Sequence, residues 1–266
     1  MEKRSLENRW SFFDATETDL RSNGVRPPGL NDPTQSPIRM SGIAKLYIQG
    51  DLKRSETEFY TLLPALLSAG FQKEEIVCIP YIKHEELTVS SIFNIYDPFL
   101  PRGKLPLLDC KGPHLPLPEI VHMCNFVSAL HNAATLDLPD ESVILILDAK
   151  AVPRRDFHER LKGLIGMPWD CLSLAYHPPM VAEDASYFAD SEILEHEPTS
   201  AVSSKAVALR LSYIKKIVKT ILPFREPLDY ELVFQGIIHR TKTQYVFPPL
   251  FDLRYCLVLK LSTPHR

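Results

Sequence analysis

The run Val143-Ile-Leu-Ile-Leu-Asp148-Ala-Lys150-Ala-Val-Pro153 constrains the fold more than any other stretch of the chain: five apolar residues deliver an aspartate and a lysine, and a proline follows. An uninterrupted apolar run of this length reads as a central parallel strand covered on both faces, because a strand with one wet face would alternate. In open α/β sheets ligands bind beyond the carboxyl ends of such strands, so Asp148 is expected to point into a crevice. The competing reading is an ordinary strand end followed by a solvated turn. The order of the surrounding elements bears on the choice.

Ile43-Ala-Lys-Leu-Tyr-Ile48 predicts a strand that ends in the polar loop Gln49-Gly50-Asp51-Leu52-Lys53-Arg54-Ser55. A helix follows, with Leu62, Leu63, Leu66 and Leu67 at helical spacing and Gly70 closing it, and Glu75 to Ile79 reads as the next strand. Strand, helix and strand make a βαβ unit with a right-handed crossover. Further on, the pattern predicts a helix from Pro118 to about Ala134, the Val143 strand, a short helix from Phe157 to Ile165, and a strand from Cys171 to Tyr176 that stops at His177-Pro178-Pro179. Ser203 to Leu222 reads as one amphipathic helix, with Val207, Leu211, Ile214, Ile217, Val218 and Ile221 inward and Lys205, Arg210, Lys215, Lys216 and Lys219 outward. Tyr255 to Leu261 supplies a late strand. Prolines break up the segment from Pro80 to Pro118, which suits a lid or binding loop, and Met180 to Thr199 is an acidic loop. The expected architecture is a single α/β domain, a Rossmann-type α/β/α sandwich over residues 43–266, behind an irregular Pro-rich N-terminal arm at residues 1–42.

Composition removes several function classes. A net charge of -3 gives no basic field for nucleic acid. No apolar stretch reaches the ~18 to 20 residues of a membrane span, and the polar start Met1-Glu-Lys-Arg lacks a signal peptide's apolar region, so a cytoplasmic chain is expected. Five scattered cysteines without C-x-x-C spacing fit reduced thiols. Ten glycines form no dinucleotide, P-loop or G-x-S-x-G signature, which counts against an NAD-dependent oxidoreductase, a P-loop kinase and a serine hydrolase. Nine histidines include no H-E-x-x-H, and His122 and His131 read as surface or satisfied core residues of their helix.

Five short segments in order carry a resemblance. Tyr47-Ile-Gln-Gly-Asp51-Leu-Lys-Arg54-Ser55 is similar to an I-N-L-D-R-S-like loop, and Glu119-Ile-Val-His-Met-Cys-Asn125-Phe126 to a helix of the form E-I-G-C-x-L-S-H. Leu147-Asp148-Ala-Lys150-Ala-Val-Pro153 resembles an L-E-D-D-A-V-P strand end, and Thr199-Ser-Ala-Val-Ser-Ser204-Lys-Ala a G-T-x-A-Y-x-I-S segment. Pro227-Leu-Asp229 and Val246-Phe-Pro-Pro-Leu250 are similar to P-x-D and Y-P-P-L elements. Together, over about Ile43 to Leu253, they resemble the family-25 glycosyltransferases, the lipooligosaccharide and collagen galactosyltransferase group.

That resemblance implies a GT-A fold, a nucleotide-sugar donor (a UDP-sugar favoured), a glycan or protein acceptor, and a hexosyl transfer. It implies nucleotide contacts at Gln49, Asp51, Lys53 and Arg54, which can equally be a solvated turn, and donor contacts at Asp148 and His177. Asp229 becomes the general base that takes the acceptor's proton, with Glu231 behind it, although Asp229 can also serve as a helix cap. The family's paired carboxylates hold a divalent cation, Mn2+ or Mg2+. Here the pair is incomplete, leaving Asp148 as the lone metal ligand of the motif, and the serine-histidine pair of the helix is replaced by Asn125 and Phe126. Lys150 then either supplies the missing positive charge, making transfer metal-independent, or pairs with Asp148 or Asp156. The alternative is a catalytically inactive relative that binds a nucleotide, a glycan or a protein.

Overall fold

Every side chain from Val143 to Leu147 is 0% exposed, the two-sided burial that an uninterrupted apolar run predicts. The computed structural model of the chain describes residues 42–51, 56–100, 114–175, 193–195 and 202–253. Lys53, Arg54, His177, the expected Tyr255 to Leu261 strand and the N-terminal arm up to residue 41 lie outside the described residues.

Among the described residues, the strands are β1 (Ile43–Gln49), β2 (Ile76–Cys78), β3 (Val143–Asp148), β4 (Ala151–Pro153), β5 (Cys171–Ser173), β6 (Ile193–Glu195), β7 (Ala206–Arg210), β8 (Thr243–Val246) and β9 (Phe251–Leu253). The helices are α1 (Glu56–Ser68), α2 (Val89–Ile95), α3 (Leu117–Ala134), α4 (Phe157–Ile165), α5 (Leu211–Ile217) and α6 (Leu228–His239). Seven strands form one sheet in the order β2-β1-β3-β7-β5-β8-β6, and β4 pairs with β9 apart from it. β2, β1 and β3 are mutually parallel. β5 and β8 share their direction, because β7 opposes both β3 and β5. β6 opposes β8. The sheet is therefore mostly parallel and the fold is a Rossmann-like α/β fold.

Local chemistry explains the elements. α1 buries Phe59, Leu62 and Leu66 and ends where Gly70 adopts a φ of +96°, with Gly70 N–H donating to the Leu67 carbonyl and Phe71 N–H to that of Leu66. This pair of bonds is a Schellman cap, which needs a left-handed residue that glycine supplies without strain. α3 carries Pro118 in its first turn, where a missing N–H costs nothing, and buries Ile120, Val121, Met123, Phe126, Val127 and Leu130. Ile144 and Ile146 of β3 share one core with α3, α5 and α6, so the alternate residues Val143, Leu145 and Leu147 face the other side. The crossovers β1-α1-β2 and β2-α3-β3 run in opposite directions along the sheet, and right-handed connections then set α1 and α3 on opposite faces.

Two sequence expectations need correction. Ser203 to Leu222 is not one helix: Ala206–Arg210 is the strand β7, between β3 and β5, and only Leu211–Ile217 is helical. Its residues Ala206 to Leu209 are all 0% exposed, and a short apolar run buried on both faces cannot be told from a buried helix by periodicity. The acidic loop holds a short edge strand, β6, and the proline-broken segment holds α2, capped by Thr88 through the Ser91 N–H. No helix among the described residues is long and apolar enough to cross a membrane.

The order of the sheet fixes where a ligand site belongs. From β1 the chain steps to β2 on one side, then returns to β3 on the other, so the topological switch point lies between the carboxyl ends of β1 and β3. Gln49 and Asp148 face each other in register at that point.

Candidate functional site

At the end of β3 the Ala149 N–H donates to the Gln49 carbonyl at 2.8 Å, which ties the two strand ends together. Gly50 follows Gln49 with a φ of +129°, and a Cβ there would lie 3.3 Å from the Ala149 Cβ. The close approach of the two loops thus depends on two small residues in sequence-distant places.

Asp148 stands at the centre of the arrangement. Its Oδ1 accepts the Lys150 N–H at 2.9 Å, an Asx turn that reverses the chain into β4. Its Oδ2 meets the Lys205 ammonium at 3.3 Å. Lys205 precedes β7, and because β7 runs against β3, its amino end reaches the carboxyl end of β3: the Asp148 N–H donates to the Lys205 carbonyl at 2.7 Å. The lysine and the aspartate are therefore held face to face by the backbone ladder as well as by charge.

Three more residues converge here. His122, in the second turn of α3, sets Nε2 3.1 Å from the Ser204 Oγ and 3.4 Å from the Lys205 ammonium. Burial, reinforced by the Lys205 ammonium and opposed by Asp148 and Asp229, lowers the His122 imidazole from 6.5 to about 4, so it is neutral at pH 7. Asp229, in the first turn of α6, accepts the Ser204 N–H on Oδ1 at 2.9 Å, and its carbonyl accepts the Val202 N–H at 3.1 Å. Gln49 is 1% exposed, its Nε2 lies 3.4 Å from the Ser204 carbonyl, and its Oε1 is buried without a hydrogen-bond partner in the protein. Such an orphan acceptor is uncommon in a folded interior and is the kind of group a ligand donor satisfies.

Of the residues singled out in the sequence, the structure brings Gln49, Asp148 and Asp229 into this cluster. Lys150 stands at the mouth with an exposed side chain, and it is Lys205, expected to face solvent, whose ammonium engages Asp148. Asp156 pairs instead with Arg160 at 3.9 Å. Asp51 follows Gly50 and is partly buried, whereas Lys53, Arg54 and His177 lie outside the described residues. Glu231 is a brace: 0% exposed, its Oε1 accepts the N–H groups of Arg225 and Glu226 at 2.8 and 3.1 Å. Asn125 and Phe126 are structural as well. Asn125 exchanges hydrogen bonds with the Ile82 backbone, and Phe126 is buried in the core. His122 lies one helical turn before Phe126 and on the same face, so a helix residue that the sequence left among surface or core histidines belongs to the site. Lys205 had one usable signal, its place at the head of the apolar run Ala206 to Leu209.

The cluster can bind a polar ligand through an ammonium, a neutral imidazole, a hydroxyl and amide groups, with two carboxylates for orientation or proton transfer. No group of three or more His, Cys, Asp or Glu side chains among the described residues is arranged to hold a metal. The chain matches no protein-family model. No curated protein matches it with significance.

Proposed function

We propose that this chain is a glycosyltransferase of GT-A type that moves a sugar from a nucleotide sugar, a UDP-sugar in the favoured case, to a hydroxyl of a glycan or protein acceptor. One observation carries the reading. Five segments that resemble family-25 glycosyltransferase motifs, scattered from Gln49 to Asp229, supply side chains to one cluster of hydrogen bonds and charge contacts. That cluster sits at the switch point where α/β sheets bind ligands, and the amino ends of α3 and α6, which favour anions, supply two of its residues.

In this reading the acceptor oxygen forms a bond to the sugar's anomeric carbon as the bond to the diphosphate oxygen breaks. The electron pair leaves on the diphosphate, and the acceptor proton passes to Asp229, whose carboxylate is oriented by the Ser204 N–H. The Lys205 ammonium, held by Asp148, is the nearest described cation for the departing charge. Neutral His122 can accept a hydroxyl hydrogen bond on its ring nitrogen.

The divalent cation that the resemblance implies does not fit these residues. Asp148 has one oxygen bonded to the Lys150 N–H and the other paired with Lys205, and the second carboxylate of the motif is Lys150. The same engagement of Asp148 favours a second reading, a glycosyltransferase-like protein that binds its ligand without turnover. Incubation of the full chain with radiolabelled UDP- and GDP-sugars, followed by measurement of released nucleotide and sugar, separates the two. Release that falls at least a hundredfold in Asp229→Asn supports transfer. Nucleotide binding without release supports the silent reading, and neither binding nor release refutes the nucleotide-sugar reading altogether.

A further inference from the structure

Charge and geometry at the end of β3 disagree with a metal-centred donor site, and the disagreement points to a specific replacement. In the pattern that the chain resembles, two carboxylates balance one divalent ion. Here one carboxylate, Asp148, balances one ammonium, Lys205, at 3.3 Å. Both sets are locally neutral and both present a positive pole to a ligand, so the loss of the second carboxylate and the gain of a lysine are one change rather than two.

We infer that Lys205 is the resident cation of this site and that the group it receives is the diphosphate of a nucleotide, which makes nucleotide binding independent of divalent metal. The inference rests on the nucleotide-sugar reading above. Four features build the position. The β3-β7 ladder places Lys205 opposite Asp148 through a 2.7 Å backbone hydrogen bond. Asp148 is itself clamped by the Lys150 N–H, so its second oxygen is presented to the ammonium. The imidazole of His122 lies 3.4 Å from the same ammonium and, being neutral, offers it no repulsion. The Lys205 side chain keeps 27% of its surface exposed, enough for a ligand oxygen to reach an ammonium, whose remaining protons are free to turn toward it. Lys150, exposed at the mouth, lacks this construction and is a steering charge at most.

The test uses the full chain and measures UDP and GDP binding by calorimetry, in EDTA and in MnCl2. The wild type is expected to bind one of them with the same affinity in both buffers. Lys205→Gln is expected to weaken that binding at least tenfold in EDTA, and Lys205→Arg to restore it to within about threefold of wild type. Because Lys205→Gln strands the Asp148 charge and can prevent folding, the charge-neutral pair Asp148→Asn with Lys205→Gln is measured beside it and is expected to lose binding equally. Binding by the wild type only with manganese overturns the inference and leaves the glycosyltransferase reading standing. Undiminished binding by the charge-neutral pair in EDTA overturns the role of Lys205. No binding of either nucleotide in either buffer refutes the nucleotide-sugar reading, and the inference with it.

Discussion

Acidification should cost this protein stability through a single imidazole. His122 is held at about 4 by burial and by the Lys205 ammonium, while in the unfolded chain it returns to the ordinary 6.5. Between those values the unfolded state binds a proton that the folded state does not, so stability is fully present above about 6.5 and is lost as the pH falls toward 4. Each pH unit below 6.5 removes about 1.4 kcal/mol, so a descent from pH 7 to pH 5 removes about 2 kcal/mol, and the whole window about 3 kcal/mol. With a urea slope of about 3 kcal/mol per molar, the midpoint should move by about 0.6 M between pH 7 and pH 5 from this group alone. His122→Gln keeps a hydrogen-bonding side chain and removes the titration, so the difference between the two pH profiles isolates the effect. Removing the Lys205 charge takes away a term that lowers the imidazole and leaves the attraction of Asp148 and Asp229, so in Lys205→Gln the value should rise. An NMR titration of the His122 ring reads both quantities. A value near 6.5 in the wild type, or identical midpoint shifts in wild type and His122→Gln, would refute the coupling.

Three further outcomes follow from the geometry, each read by a thermal or urea melt. Gly50→Ala should destabilise by about 1–3 kcal/mol, because it combines a φ of +129° with a Cβ 3.3 Å from Ala149, whereas Gly163→Ala, in α4 with open space around it, should stabilise by about 0.5–1 kcal/mol. Glu231→Ala should cost about 3 kcal/mol by leaving the Arg225 and Glu226 N–H groups without their acceptor. Asp229→Asn retains an oxygen for the Ser204 N–H, so its melting midpoint should shift by no more than about 2 °C while transfer falls by ~10² to 10⁴; a large loss of stability would make Asp229 structural.

The sequence announced those parts whose signal is local. β1, α1, β3, α3 and α4 each combine one clear period or apolar run with a glycine, a proline or a polar stop, and they stand within a residue or two of where such signals place them. β7 was illegible because five residues hold no full period, and its neighbours Leu211 and Ile214 continue a helical spacing by accident of the strand running directly into α5. β8 was hidden for another reason: Thr243-Gln-Tyr-Val is half polar, and Gln244 is buried regardless. Gln49, Asp148 and Asp229 were legible because each ends or begins an element beside a turn residue. His122 and Lys205 were not, since a histidine on a helix and a lysine beside an apolar run are ordinary until the fold brings them within 3.4 Å.

The reversed strand β7 also sets a schedule. It enters the sheet between two strands that are both synthesised before it, so β3 and β5 emerge first with a gap between them that only residues 206–210 can close. During translation Asp148 therefore precedes its counter-ion by some fifty residues, and His122 precedes it by more. A nascent chain stopped before Lys205 has two exposed strand edges and an uncompensated carboxylate, the state most open to mispairing and to chaperone capture. The step that seals the sheet is the same step that delivers the lysine, so this protein cannot finish its core without also finishing its site.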